Sequence, residues 1–146
     1  MALEATVEAA AAAIEEDFAL LDGAREKIEY VVELGKDLPP LADGLKSETS
    51  RVRGCQSQVW LVADRDEKGR LRFEADSDAI IVKGLIALLM RLYDGRAPDE
   101  ILNNPPDVFE RIGLGAMLTP GRANGLYAMV NRIQQIAAAT GRVGVR

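Results

Sequence analysis

The chain has 146 residues, of which 48% are hydrophobic and 28% charged, with a formal net charge of -5. This size fits one globular domain over residues 1–146, and the acidic balance argues against nucleic acid or anionic membranes as partners. One cysteine and no histidine exclude an internal disulfide, a Cys/His hydrolase, a CxxC redox centre and the usual zinc sites.

The alanine-rich residues 1–17 are expected to form a mobile segment. Met1–Ala13 contains two glutamates and lacks the basic start of a secretory signal, so we expect no export and a cytoplasmic protein. The longest apolar run, Ala79–Tyr93, is interrupted by Lys83 and Arg91 and is too short to span a bilayer. It predicts a buried helix instead.

Apolar periodicity and breaking residues predict the next elements along the chain. Asp22 is expected to cap a helix that continues through Gly35, before Leu38-Pro39-Pro40 ends it. The polar stretch Asp43–Ser50 predicts a connector that leads into an extended segment at Arg51–Arg53.

The middle of the chain predicts a small antiparallel sheet. Val59–Ala63 is apolar on both faces, which favours a strand covered on both sides. Arg70–Ala75 alternates between apolar and charged residues, as a half-buried strand does. Asp66–Gly69 joins the two strands as a hairpin turn.

The rest of the chain is predicted to be helical. Ser77 or Asp76 is expected to cap a helix from about Asp78 to Tyr93, which Gly95 ends. Further helix starts lie at Pro98, at Asn104–Pro106 and at Thr119–Pro120, the last of these opening a long helix that ends before Gly141. This order predicts an α+β fold in which a small antiparallel sheet packs against several helices.

Two patterns in the helical regions are interpreted as structural. Gly121 and Gly125 have the spacing of a closely packed helix face, although that signal is weak outside membranes. Met90, Met117 and Met129 lie in apolar periodic segments, which favours a core role over a sticky surface.

The single thiol, Cys55, lies between the predicted strands. Gly54 can adopt backbone angles closed to other residues and leaves room beside the sulfur. Arg51 and Arg53 would stabilise a thiolate if their guanidinium groups reach it. Apolar neighbours would instead oppose its ionisation by burial; they are Val52, Val59 and Trp60. These residues leave the balance of the two effects open.

A structural role for Cys55 is also open, because a free cysteine often serves only as a small buried hydrophobe. The polar residues Gln56, Ser57 and Gln58 favour a surface loop over a core strand. The local sequence therefore leaves two alternatives, a buried structural residue and a reactive thiol on a loop.

Residues Gly54-Cys55-Gln56-Ser57-Gln58-Val59-Trp60 resemble the signature of the SufE family of sulfur acceptors. Three further segments resemble family segments in matching order: Leu34–Leu41, Ala75–Leu85 and Leu118–Gly125. The resemblance as a whole extends over roughly Phe18 to Ile136, so the chain resembles a single SufE-like domain.

The resemblance implies an α+β fold similar to that of iron-sulfur scaffold proteins. It also implies that Cys55 accepts a persulfide from a pyridoxal-phosphate cysteine desulfurase, stimulates that enzyme, and passes the sulfur to an iron-sulfur assembly complex. The desulfurase holds the pyridoxal phosphate, so we expect neither cofactor nor metal here. The chain would be a sulfur-transfer partner rather than a self-sufficient enzyme, and whether it forms a homodimer is left open.

The chemistry agrees with this role, because transfer between persulfides requires a thiolate on each partner and no metal. A second nearby thiol would release the cargo as sulfide, so a single thiol protects it. We further expect the loop to be sheltered in the free protein and to open when the desulfurase docks.

Several other residues are candidates to support Cys55. Those within the loop are Arg51, Arg53, Gly54, Gln56 and Ser57. By matching position, Arg122 resembles the family's arginine near the cysteine loop, and Asp76 and Asp78 resemble its acidic helix start. The alternatives are an arginine on an exposed helical turn and aspartates that only cap a helix.

Three other functions are considered. A binding module could stimulate a desulfurase allosterically without carrying sulfur. A rhodanese-like transferase acting on small thiosulfate-type donors is weakly supported by two arginines. An iron-sulfur scaffold is disfavoured, because one cysteine and no histidine cannot supply the usual ligands.

Overall fold

Most of the chain is helical in the computed structural model, which describes residues 4–144 and the side chains of residues 4–140. The helices are α1 (Val7–Ala19), α2 (Gly23–Lys36), α3 (Ile80–Tyr93), α4 (Pro98–Asn103), α5 (Asp107–Arg111), α6 (Leu114–Met117) and α7 (Pro120–Gly144). A turn of 3-10 helix, Asp43–Leu45, lies between α2 and the sheet. Strands β1 (Val59–Arg65) and β2 (Leu71–Ser77) pair antiparallel. The predicted α+β class is confirmed.

Helix α1 begins inside the alanine-rich stretch for which we expect mobility. Val7, Ala10, Ile14 and Phe18 recur every three or four residues, and all four side chains are buried. From Val7 onward the stretch is thus an amphipathic helix packed on the core, which differs from the expectation. Residues 1–3 of that stretch lie outside the described residues.

Helix α3 is the central element of the core. Nine of its residues are buried, and it contacts the sheet and helices α1, α2 and α7. The backbones of α2 and α3 approach closely, since a Cβ on Gly84 would lie 2.0 Å from the carbonyl oxygen of Val31. A side chain at position 84 would therefore force the two helices apart.

The long helix α7 presents its predicted apolar face to the core. Leu126, Met129 and Ile133 are at most 1% exposed. Of the other methionines, Met90 and Met117 are only half-buried. The core role expected for the methionines therefore holds fully for Met129 alone.

The start of α3 differs from the prediction. Strand β2 continues through Asp76 and Ser77, and the helix begins at Ile80 with Ala79 at its N-cap. The expected cap by Asp76 is wrong, because its carboxylate accepts other N–H groups. The hydroxyl of Ser77 accepts the N–H of Ala79 at 3.2 Å but lies outside the cap position.

The buried carboxylate of Asp76 joins three parts of the fold. It accepts the N–H of Leu41 at 3.1 Å and that of Ser77 at 2.8 Å. The ammonium groups of Lys46 and Lys83 lie 3.4 and 3.8 Å away. Burial opposes ionisation, but the two N–H donors and Lys46 outweigh it and hold the pKa of Asp76 below its ordinary value.

Replacing Asp76→Asn is expected to lower the free energy of unfolding at pH 7 by about 2–3 kcal/mol, because a buried charged acceptor is lost. A depressed folded-state pKa stabilises the protein above the unfolded pKa of about 3.9, and this contribution disappears as pH falls through the folded value. The difference between variant and wild type should therefore shrink below about pH 4.

Urea unfolding monitored by circular dichroism at several pH values measures this difference. Asp43→Asn is the matched control, because Asp43 also pairs with Lys46, at 3.7 Å, but is fully exposed. An equal loss in both variants, or a loss that does not change with pH, would contradict this role of Asp76.

Candidate functional site

The loop that carries Cys55 is closed at its base by the backbone. The N–H of Val52 donates to the carbonyl of Val59 at 2.8 Å. Arg51 forms an isolated antiparallel bridge with Trp60, so the predicted extended segment lies beside β1. The loop thus starts and ends at one fixed backbone pairing. We call this pairing, of Arg51 and Val52 with Val59 and Trp60, the strap.

The end of the loop is held by the residues that follow β2. The hydroxyl of Ser77 donates to the carbonyl of Gln58 at 2.8 Å. The N–H of Gln58 donates to the carboxylate of Asp78 at 3.0 Å. Asp78 is thus brought to the loop, whereas Asp76 binds other groups. Sequence reasoning missed Ser77 here, because it was considered only as a helix cap.

The side chains of Cys55 and Gln56 lie on α7 over two glycines. The thiol of Cys55 is half-buried and donates to the carbonyl of Gly125, with Sγ and oxygen 3.7 Å apart. The amide of Gln56 occupies the space of a side chain at position 121, since a Cβ there would lie 2.1 Å from its Oε1. The glycine spacing found in the sequence therefore forms a trough that receives the loop.

Little space remains around the sulfur. The cavity beside it measures about 10 Å³, about the room that one water requires. Cys55, Gln56 and Ser57 line it together with Val82 and Leu85 of α3 and several residues of α7. A cysteine from another protein cannot enter this space while the loop keeps its position.

The surroundings of Cys55 decide which of two opposing effects prevails. Burial raises the pKa of the thiol, and the positive charge of Arg51 lowers it by a smaller amount. The guanidinium of Arg53 instead pairs with Glu48 at the surface. Because burial prevails, the thiol in this loop position is mostly protonated at neutral pH.

Of the other predicted residues, Gly54 and Arg122 lie beside the thiol, whereas Arg53 and Asp76 do not contact it. Gly54 has φ +90°, an angle that favours glycine, and it turns the chain immediately before the thiol. The exposed Arg122 lines the cavity beside Cys55. Arg53 and Asp76 do not contact the sulfur, because Glu48 and the N–H of Leu41 engage their charged groups.

The described part of the chain holds no group of three or more Cys, His, Asp or Glu residues placed to bind a metal ion. Among residues 4–144, every helix is too short or too polar to cross a membrane.

The chain matches a known protein family over most of its length, including the Cys55 loop. The family described as "SufE: Fe-S metabolism associated domain" matches residues 12–137. The chain belongs to the SufE family. This membership associates it with iron-sulfur metabolism.

A solved structure has the same fold as this SufE chain. It is the solution structure of a hypothetical protein from Thermus thermophilus, with 27% sequence identity and a TM-score of 0.73. The similarity covers 90% of this chain and 95% of the other.

Arg51→Gln is expected to raise the pKa of Cys55 further, because it removes the one positive charge that lowers this pKa. Since the thiolate is the nucleophile, alkylation at neutral pH should slow by roughly twofold to fivefold. The rate of iodoacetamide alkylation between pH 6 and 10 gives the pKa directly.

Arg53→Gln is the matched control, because Glu48 holds its guanidinium at the surface. Its pH profile should coincide with that of the wild type. Equal shifts in the two variants would show that general surface charge, rather than the position of Arg51, acts on the thiol.

Proposed function

We propose that this SufE-family chain carries sulfur on Cys55. It takes the terminal sulfur of a persulfide from a pyridoxal-phosphate cysteine desulfurase and delivers it to an iron-sulfur assembly complex in the cytoplasm. The observation that carries the proposal is a single thiol on a strapped loop, seated over a glycine trough. The family's association with iron-sulfur metabolism supports the same conclusion.

The proposed transfer needs only two cysteines. The thiolate of Cys55 attacks the terminal sulfur of the donor's persulfide, and a new sulfur-sulfur bond forms. The old sulfur-sulfur bond breaks, the donor's cysteine leaves as a thiolate, and the proton of Cys55 passes to solvent. Oxidation state is conserved overall, so neither oxidant nor metal is required.

The seated position of the loop protects the thiol but opposes the reaction. The cavity has no room for a donor cysteine, and burial keeps the sulfur protonated. Moving Cys55 out of the trough removes this burial, which is the larger of the two effects on the pKa of the thiol. We therefore propose that docking of the desulfurase favours an outward loop and thereby both exposes and activates the sulfur.

The contacts of the loop are suited to such a movement. The strap at Val52 and Val59 and the bonds to Gln58 hold both ends of the loop. The tip is held by a weak S–H hydrogen bond and by the side chain of Gln56 over Gly121. The tip can therefore leave α7 without disrupting the sheet.

Cys55→Ser should abolish sulfur loading while the fold is retained, because the chain has no other thiol. Wild-type protein incubated with a cysteine desulfurase and cysteine should gain one sulfur atom in intact mass, and this gain should disappear on reduction. A serine variant that still gains labile sulfur would refute the carrier function.

The same serine variant separates the carrier from the alternative of an allosteric module. A carrier should lose its stimulation of desulfurase turnover with Cys55→Ser, although binding persists. Full stimulation by a variant that holds no sulfur would favour the allosteric module.

Alkylation of Cys55 should be slow in the free protein and faster when a desulfurase is bound, because docking is proposed to move the thiol out of the trough. The desulfurase used should have its own reactive cysteine replaced, so that no sulfur competes for Cys55. Equal rates with and without demonstrated binding would contradict induced exposure and leave the carrier function intact.

A further inference from the structure

A groove beside the carboxyl-terminal half of α3 is separate from the cysteine loop. The loop cavity touches α3 at Val82 and Leu85, whereas this distal groove lies along residues 87–94. At 1.5 Å of rise per residue, Val82 and Met90 are about 12 Å apart along the helix axis. A molecule bound in the distal groove can therefore leave Cys55 uncovered.

The floor of the distal groove is apolar and incompletely covered. Leu34 and Leu38, from the end of α2 and the turn after it, face Met90 of α3, and all three are only half-buried. The groove has a volume of about 510 Å³, within the range of roughly 300–1,000 Å³ typical of binding sites. The flexible thioether of Met90 can adapt to different apolar partners.

The rim of the groove is acidic. It carries four carboxylates: Glu4, Asp17, Asp37 and Asp94. Arg91 lies 3.3 Å from Glu4 and 3.0 Å from Asp17, and Arg72 lies 3.2 Å from Asp94. Asp37 is exposed and forms no ion pair with the side chains of residues 4–140, the part of the chain whose side chains are described. Arg96 also lies at Glu4, where its guanidinium donates to the backbone carbonyl at 2.6 Å and its charge helps to lower the pKa of the Glu4 carboxyl group. Three guanidinium groups thus oppose four carboxylates, which leaves the rim with a small net negative charge that is centred on Asp37.

The helix ends reinforce this charge. Asp37 and Asp94 are the C-cap residues of α2 and α3, so the negative ends of two helix dipoles lie at the groove. A cation near Asp37 would therefore meet both a free carboxylate and a helix carboxyl terminus. The complementary ligand is apolar along one side and positively charged beside it.

We propose that the distal groove binds an amphipathic helix of a partner protein, with apolar residues one turn apart and Lys or Arg beside them. From Tyr30 to Asp37 the groove follows α2 for about 10 Å, or two helical turns, which suits two or three apolar anchors. A partner held there leaves the cysteine loop free for its own reaction. This binding does not depend on sulfur transfer.

The probe for this surface is a synthetic helix of about 14 residues, with leucines on one face and lysines on the other. A second peptide has every lysine replaced by glutamate and keeps the same leucines. Nitrogen-15 NMR titration of the full chain should show shifts at Leu34, Leu38 and Met90, but none at Cys55. Binding of the lysine peptide should weaken as salt is raised, and the glutamate peptide should bind at least about tenfold more weakly.

Asp37→Lys should weaken binding of the lysine peptide by about tenfold, and the exposure of Asp37 makes this replacement compatible with folding. Leu20→Lys is the matched control, because Leu20 is 85% exposed and lies outside the groove. Its affinity should equal that of the wild type.

Equal binding of the two peptides, an unchanged affinity of Asp37→Lys, or shifts centred on Cys55 would overturn the proposal. Tighter binding of dodecyltrimethylammonium than of the lysine peptide would assign the groove to a small amphiphile instead. A dimer of the free chain that Asp37→Lys dissociates would assign it to a second copy. Sulfur loading of Cys55 in Asp37→Lys measures the carrier function separately.

Discussion

One buried carboxylate organises the frame that holds the cysteine loop. Asp76 accepts N–H groups from Leu41 and Ser77, which brings the segment after α2 to the end of β2. The hydroxyl of Ser77 then holds the carbonyl of Gln58. Because a buried N–H without an acceptor costs about 1–3 kcal/mol, these segments are held in one arrangement. The position of the sulfur thus depends on a charge that does not touch it.

The elements that follow local patterns were predictable from the sequence. The hairpin and helices α3 and α7 have clear periodicity and lie where it predicts them, although α3 begins at Ile80 rather than near Asp78 and α7 continues through Gly141, where an end was expected. The role of Asp76 was not predictable, because an aspartate shortly before a helix locally resembles a cap. Its acceptor contact reaches Leu41, 35 residues away, and no local pattern contains such a contact. Helix α1 was not predicted, because the many alanines of this stretch hide the helical spacing of its larger apolar residues, Val7, Ile14 and Phe18.

In the candidate site, too, some features were predictable from the sequence and others depend on the folded chain. The chemistry of a lone thiol and the family signature pointed to Cys55, but the effect of its neighbours depends on side-chain direction. Arg51 acts on the thiol, whereas Arg53, two residues later, is engaged by Glu48. The glycine spacing in α7 was visible in the sequence, but which segment fills the trough is a property of the folded chain.

The short loop above the strap limits how far the sulfur can travel. Cys55 is three residues from Val52, and an extended chain spans at most about 3.6 Å per residue. While the bond between Val52 and Val59 persists, the Cα of Cys55 cannot move more than about 11 Å from that of Val52. For the proposed sulfur transfer, a donor cysteine that lies far beyond this reach would have to move outward on a mobile segment of its own protein. In the proposed carrier function, the strap therefore limits the depth from which Cys55 could collect sulfur.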